Sequence, residues 1–124
     1  MKMYEVLGLQ NFYTSVQDKK MPIKTTYKLS RLASKVEKEI EFYSKEFAKI
    51  VDTYAQKENG ELVYSEDMTS IKIIPGKEDE CSEKIYELKE IEVDLGDFSF
   101  SLEEFEDLDL TLAEMSSILP FIKD

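Results

Sequence analysis

The stretch PIKTTYKLSRLASKVEKEIEFYSKEFAKIVDTYAQ, Pro22 to Gln56, decides the fold. Its apolar residues fall at Leu29, Leu32, Val36, Ile40, Tyr43, Phe47, Ile50 and Tyr54. Steps of three and four residues put all of them on one face of a helix. Ile23, Ala33 and Val51 widen that stripe at its edges. No glycine interrupts it, and Pro22 stands at the first turn, where proline costs no hydrogen bond. Asn59-Gly60 supplies a stop, because glycine takes the left-handed conformation that closes a helix. At 1.5 Å per residue the rod would be roughly 50 Å long. A chain of this size has an expected radius of gyration of only about 14 Å. The stripe therefore needs cover from the rest of the chain, from a second copy of the helix, or from both. Eight such side chains, at about 1.5–3 kcal/mol each on burial, make it the largest single contribution to folding in the sequence.

The other elements are shorter. Tyr4, Leu7, Leu9, Phe12, Tyr13 and Val16 predict a short helix over residues 3–17, with Gly8 leaving a strand open for the first few residues. Lys19-Lys20-Met21-Pro22 is a tight connection, since the residue before proline is pushed out of helical geometry. Beyond Gly60 the period changes: Leu62-Val63-Tyr64 and Ile71-Lys72-Ile73-Ile74 predict a β-hairpin, ended by Pro75-Gly76. Glu78-Asp79-Glu80 then opens a second helix, acidic where the dipole favours negative charge, with Cys81, Ile85, Leu88 and Ile91 as its stripe. Val93, Leu95, Phe98 and Phe100 alternate around Gly96-Asp97 and suggest one or two further short strands. Ser101-Leu-Glu-Glu104 and Thr111-Leu-Ala-Glu114 are capping boxes. The second opens a helix through Leu119 that Pro120 terminates, and Leu119-Pro120-Phe121-Ile122 is apolar enough to dock. The expected fold is α+β: one long amphipathic helix over about 22–57, packed with shorter helices and a small antiparallel β-sheet, in a single domain spanning 1–124.

Composition narrows the function. With 42% hydrophobic residues, seven Phe and seven Tyr, the chain has material for a core. No apolar run approaches the ~20 residues of a membrane span, and residues 1–9 lack a signal-peptide pattern, so no membrane role is expected. The single Cys81 forms no internal disulfide and suits a reducing compartment, which points to the cytoplasm. Charge is unevenly placed. Residues 1–57 hold eleven Lys/Arg against seven Asp/Glu, whereas residues 58–124 hold five against twenty, giving −11 overall. Such a chain is repelled at long range by nucleic acid and anionic membranes.

The chemistry of catalysis is thinly represented. There is no histidine, hence no usual general base, zinc ligand or Ser-His or Cys-His pair. Cys81 lies on an apolar stripe and reads as a buried, inert thiol. Four glycines make no phosphate-cradling pattern. A calcium loop begun at Asp107 fails, with Leu112 in place of the required glycine and Ile118 in place of the final glutamate. No catalytic residue, cofactor or metal is expected. The remaining candidate site is a ridge of Lys24, Lys28, Arg31, Lys35 and Lys38, stepped by four, three, four and three. It would contact phosphates, or face the protein's own acidic half or water; it lacks exposed aromatics for base stacking.

The segments Lys20-Met-Pro-Ile-Lys-Thr-Thr-Tyr-Lys-Leu-Ser-Arg-Leu32, Glu37-Lys-Glu-Ile-Glu-Phe-Tyr43 and Tyr54-Ala-Gln-Lys-Glu-Asn-Gly60 occur in sequence with Pro75-Gly-Lys-Glu-Asp-Glu-Cys81 and Glu92-Val-Asp-Leu95. In order and spacing, over roughly residues 4–95, this resembles a family of small uncharacterised proteins of tailed bacteriophages and prophages. The resemblance implies a phage or prophage accessory protein, and with no catalytic motif in the chain the expected function is non-enzymatic binding of another protein, viral or host, in virion or tail assembly. It supplies no functional residue. Two alternatives remain open: an acidic, DNA-mimicking inhibitor of a host nucleic-acid enzyme or defence system, and a weak nucleic-acid binder through the basic ridge. A homo-oligomer formed through the long helix is a further expectation.

Overall fold

A computed structural model describes residues Met1 to Lys123. Four helices dominate: α1 (Met3–Val16), α2 (Ile23–Tyr54), α3 (Glu78–Lys89) and α4 (Leu112–Ile118). Among the described residues one sheet forms, pairing two short antiparallel strands, β1 (Lys57–Glu58) and β2 (Glu61–Leu62). The fold is thus α+β, with a long helix, α2, of 32 uninterrupted residues. Packing gathers the chain into two compact units, Met1–Glu41 with the chain from Glu92 onward, and Phe42–Ile91. Residues 23–41 of α2 belong to the first and residues 42–54 to the second.

In the first unit, α1 forms because Met3, Val6, Leu9, Phe12 and Val16 share one face, and all five are buried. The Glu5 carboxylate accepts the Lys2 N–H at 2.9 Å and anchors the first turn. The helix runs straight through Gly8, so the strand left open there does not form. Gly8 instead faces α4: a Cβ at this position would stand 3.4 Å from Ser117 Oγ. The α2 residues Thr25, Leu29, Leu32 and Val36 are buried in the same unit. Phe105 meets Phe12 edge-on with ring centroids 6.0 Å apart, and Phe100 at 5.3 Å.

The short strands expected around Gly96-Asp97 are absent from the described residues as ladders. Two single bridges stand in their place, Lys2 with Glu92 and Phe100 with Ile122. Val93, Leu95 and Phe100 do point inward and are buried. Gly96, however, sits at φ 89° with its N–H bound to the Asp94 carboxylate, which turns the chain out of extended geometry. Both capping boxes are realised. Ser101 opens a 3₁₀ turn over Leu102–Phe105, and Thr111 Oγ1 accepts the Glu114 N–H while Glu114 accepts the Thr111 N–H. The α-helix ends at Ile118, and Leu119–Phe121 tightens into a 3₁₀ turn with Phe121 buried. The Phe100 N–H bonds to Phe121 O and the Lys123 N–H to Phe100 O, each at 2.8 Å, so the apolar tail docks.

In the second unit, α2 ends at Tyr54, five residues before Asn59. Asn59-Gly60 is not the helix stop that its composition suggests. Both residues have positive φ, 52° and 82°, and they form the two-residue turn between β1 and β2. The hairpin expected of Leu62–Tyr64 and Ile71–Ile74 is reduced to the bridge Tyr64–Ile71, with a second bridge from Ile73 to Ala55. Backbone bonds run from Gln56 N–H to Lys72 O, Lys72 N–H to Val63 O and Val63 N–H to Gln56 O, a closed ring of three chain segments. Helix α3 buries Cys81 and Leu88, with Ile85 half-buried; Ile91 falls beyond the helix end and is exposed. The Tyr54 hydroxyl is held against Glu80, and burial, then this carboxylate, raise its pKa.

Candidate interaction surfaces

The five basic residues of the ridge divide into two lines. Lys28 and Lys35, seven residues apart, turn toward the chain after Gly96. Lys28 Nζ donates to Ser99 O at 2.8 Å, pairs with Glu104 at 2.8 Å and stands 4.7 Å above the Phe100 ring. Lys35 Nζ lies 5.7 Å over the Phe98 ring. Lys24, Arg31 and Lys38, also in steps of seven, are exposed. At 1.5 Å per residue they recur about every 10 Å along the helix.

Glu104 gathers Lys28 of the inward line together with Thr25 and Ser101. Its carboxylate accepts Thr25 Oγ1 at 2.9 Å, Lys28 Nζ and the Ser101 N–H at 2.8 Å. Thr25 is wholly buried and is the one buried polar side chain among the described residues. Burial pushes the Glu104 carboxyl up, but bonds from Lys28, Ser101 and Thr25 outweigh it and hold the pKa below its usual value. A carboxylate placed by its spacing as a helix cap thus also ties α2 to the 3₁₀ turn. Sequence alone marked the cap through Ser101-x-x-Glu104; nothing local announced Thr25 and Lys28 as its partners.

The outward line has a neighbour the sequence reading missed. Tyr27 is 63% exposed, and the Arg31 guanidinium lies 5.8 Å from its ring centre. The ridge therefore does carry an exposed aromatic, contrary to expectation. Helical spacing could have shown it, since Tyr27 stands one turn from both Lys24 and Arg31 and off the apolar stripe. Ile23, Lys24, Tyr27, Lys28 and Glu104 line a recess of about 560 Å³. A groove of about 520 Å³ lies between α1 and α2, with Leu9, Phe12, Leu29, Leu32 and Val36 among its lining residues.

A different surface lies along the last turns of α2. Ile40, Tyr43, Phe47, Ile50, Val51 and Tyr54 are only half-buried, and Phe42 is exposed. Tyr43 and Phe47 stack with centroids 5.8 Å apart, and burial raises the Tyr43 pKa. Cys81 is buried. Among the described residues no three His, Cys, Asp or Glu side chains are placed to hold a metal ion, and no helix is long and apolar enough to cross a membrane. No family model matches the chain, and neither a curated protein nor a solved structure does.

Proposed function

We propose that the protein is a non-enzymatic, phage-type accessory protein that acts by binding another protein chain, in virion or tail assembly. The observation that carries this reading is the unequal cover of the α2 stripe. Leu29, Leu32 and Val36 are 3–4% exposed, whereas the residues of the same stripe from Ile40 to Tyr54 remain partly exposed to solvent. Apolar side chains set at uniform helical spacing but left partly wet offer i, i+3, i+4, i+7 anchors to a partner surface. The resemblance over residues 4–95 to small tailed-phage proteins supplies the setting. The test places a photo-crosslinking residue at Ile50, and separately at Tyr86 on α3, in infected or lysogenic cells. One discrete protein adduct at position 50, absent at 86 and lost when Phe47 is replaced by serine, supports the reading. No discrete adduct at position 50, or equal labelling at both, ends it.

Second readings rest on charge. From Glu90 to Ile122 the chain carries ten Asp/Glu and no Lys or Arg, which suits an acidic inhibitor of a nucleic-acid enzyme. Failure to relieve or impose inhibition across a panel of DNA-binding host enzymes removes it. The exposed line of Lys24, Arg31 and Lys38 beside Tyr27 suits a weak nucleic-acid binder, and a gel shift that stays empty at low salt removes that.

A further inference from the structure

Two large apolar side chains stand out from all others described. Leu112 is 85% exposed and Ile23 84%, with the next, Met68, at 69%. Each is the first residue of its helix, α4 and α2, and both belong to the first unit. Isolated exposed leucines are ordinary on a protein surface. These two differ in that their surroundings carry opposite charge.

Around Ile23 lie Lys20, Lys24 and, one and two turns on, Tyr27 and Arg31, all exposed. Ile23, Lys24 and Tyr27 also border the shallow, open depression whose remaining lining is the Lys28–Glu104 ion pair, leaving Lys24 as its unpaired charge. Leu112 follows Glu106, Asp107 and Asp109, all exposed, and Leu119, seven residues on, is 56% exposed. This lies within the 33 residues from Glu90 to Ile122, which hold no basic residue at all. One surface thus offers a shallow depression flanked by the exposed Lys20, Lys24 and Arg31, and the other an aliphatic knob preceded by the exposed Glu106, Asp107 and Asp109.

We propose that the protein self-associates, the Leu112 knob of one copy entering the recess at Ile23 and Tyr27 of another, with Asp107 and Asp109 against Lys24 and Arg31. The pairing buries the two most exposed apolar side chains and sets unlike charges side by side, which favours this contact over like-on-like docking. Two chains of net charge −11 repel at long range, but at physiological salt that repulsion is screened within about 8 Å, leaving the local complementarity to decide. The contact uses residues distinct from the Ile40–Tyr54 stripe, so its failure leaves the proposed partner-binding role standing, and the converse holds.

The test is sedimentation of the full chain over a concentration series up to about 1 mM, the weak end of specific association. The wild-type chain is expected to gain mass with concentration. Ile23→Glu alone, and Leu112→Lys alone, are each expected to weaken association at least tenfold, about the effect of losing a contact worth 1.4 kcal/mol. Mixed in equal amounts, the two variants are expected to recover it, because the new glutamate and lysine then face one another. Lys24→Glu repeats the first loss without touching an apolar group, and unchanged circular dichroism confirms that each variant is folded. A wild-type chain that stays monomeric, single variants that associate like wild type, or a mixture that fails to recover each overturns the proposal.

Discussion

The two ends of α2 obey the same sequence rule and meet different environments. Leu29, Leu32 and Val36 are buried in the unit that also holds α1, the docked tail, Phe100 and Phe105. From Tyr43 to Tyr54 the same spacing gives side chains that keep a share of solvent contact, and Ala55, Cys81 and Leu88 are the fully buried apolar residues of their unit. Periodicity reports that a face is apolar. It does not report how much of the chain is available to cover it, and that depends on elements far away in sequence.

The difference can be broken first at its tight end. Leu32→Ala should cost about 2–4 kcal/mol, because a buried leucine leaves both lost contacts and a cavity. Ile50→Ala, the same kind of truncation in the half-open stretch, should cost about 1 kcal/mol, since solvent already reaches the site. Urea denaturation of both variants checks this; equal losses would mean that the two stretches are equally packed.

Glu104 sharpens the comparison from the polar side. Glu104→Ala should cost about 2 kcal/mol, because buried Thr25 loses its acceptor and Lys28 its counter-ion. The folded-state pKa of Glu104 lies below its ordinary value, so this contribution is present above the usual carboxylate range and disappears as pH falls through the lowered pKa. A Glu104→Gln variant should therefore start less stable at neutral pH and lose less than wild type on acidification. A thermal-melting series from neutral to acid pH gives the answer, and parallel curves would contradict the assignment.

Smaller effects are expected at two glycines. Gly60→Ala forces a Cβ into left-handed backbone at φ 82° and should cost about 1 kcal/mol, seen as a lower melting temperature. Gly8→Ala should stabilise by about 0.5–1 kcal/mol, because alanine is the better helix former. Its Cβ meets only Ser117 Oγ at 3.4 Å. Destabilisation by Gly8→Ala would show that α1 and α4 pack more tightly than that distance allows.

Where the sequence was legible, the determinants were local. Steps of three and four delivered α1 and α2, three acids opened α3, and Ser101-x-x-Glu104 and Thr111-x-x-Glu114 began their turns. Where it misled, one signal served two purposes. Asn59-Gly60 favours positive φ equally in a helix stop and in a hairpin turn, and the chain spends it on the hairpin. The alternation of Val93, Leu95 and Phe100 buries their side chains as it should, but a strand also needs a partner along its edge, and single bridges are what it meets. Of the basic ridge, the spacing fixed which residues align; it could not separate Lys28 and Lys35, which meet Glu104, Phe100 and Phe98, from Lys24, Arg31 and Lys38, because those partners come from some seventy residues away. The candidate site was therefore legible as a helix face and not as a set of contacts.

Native-state hydrogen exchange of the isolated chain, followed amide by amide along α2, tests the unequal cover most directly. Amides from Leu29 to Val36 are expected to exchange at least tenfold more slowly than those from Tyr43 to Tyr54, a difference of about 1.4 kcal/mol in opening free energy. Uniform protection along the helix, or slower exchange in its last turns, would contradict it.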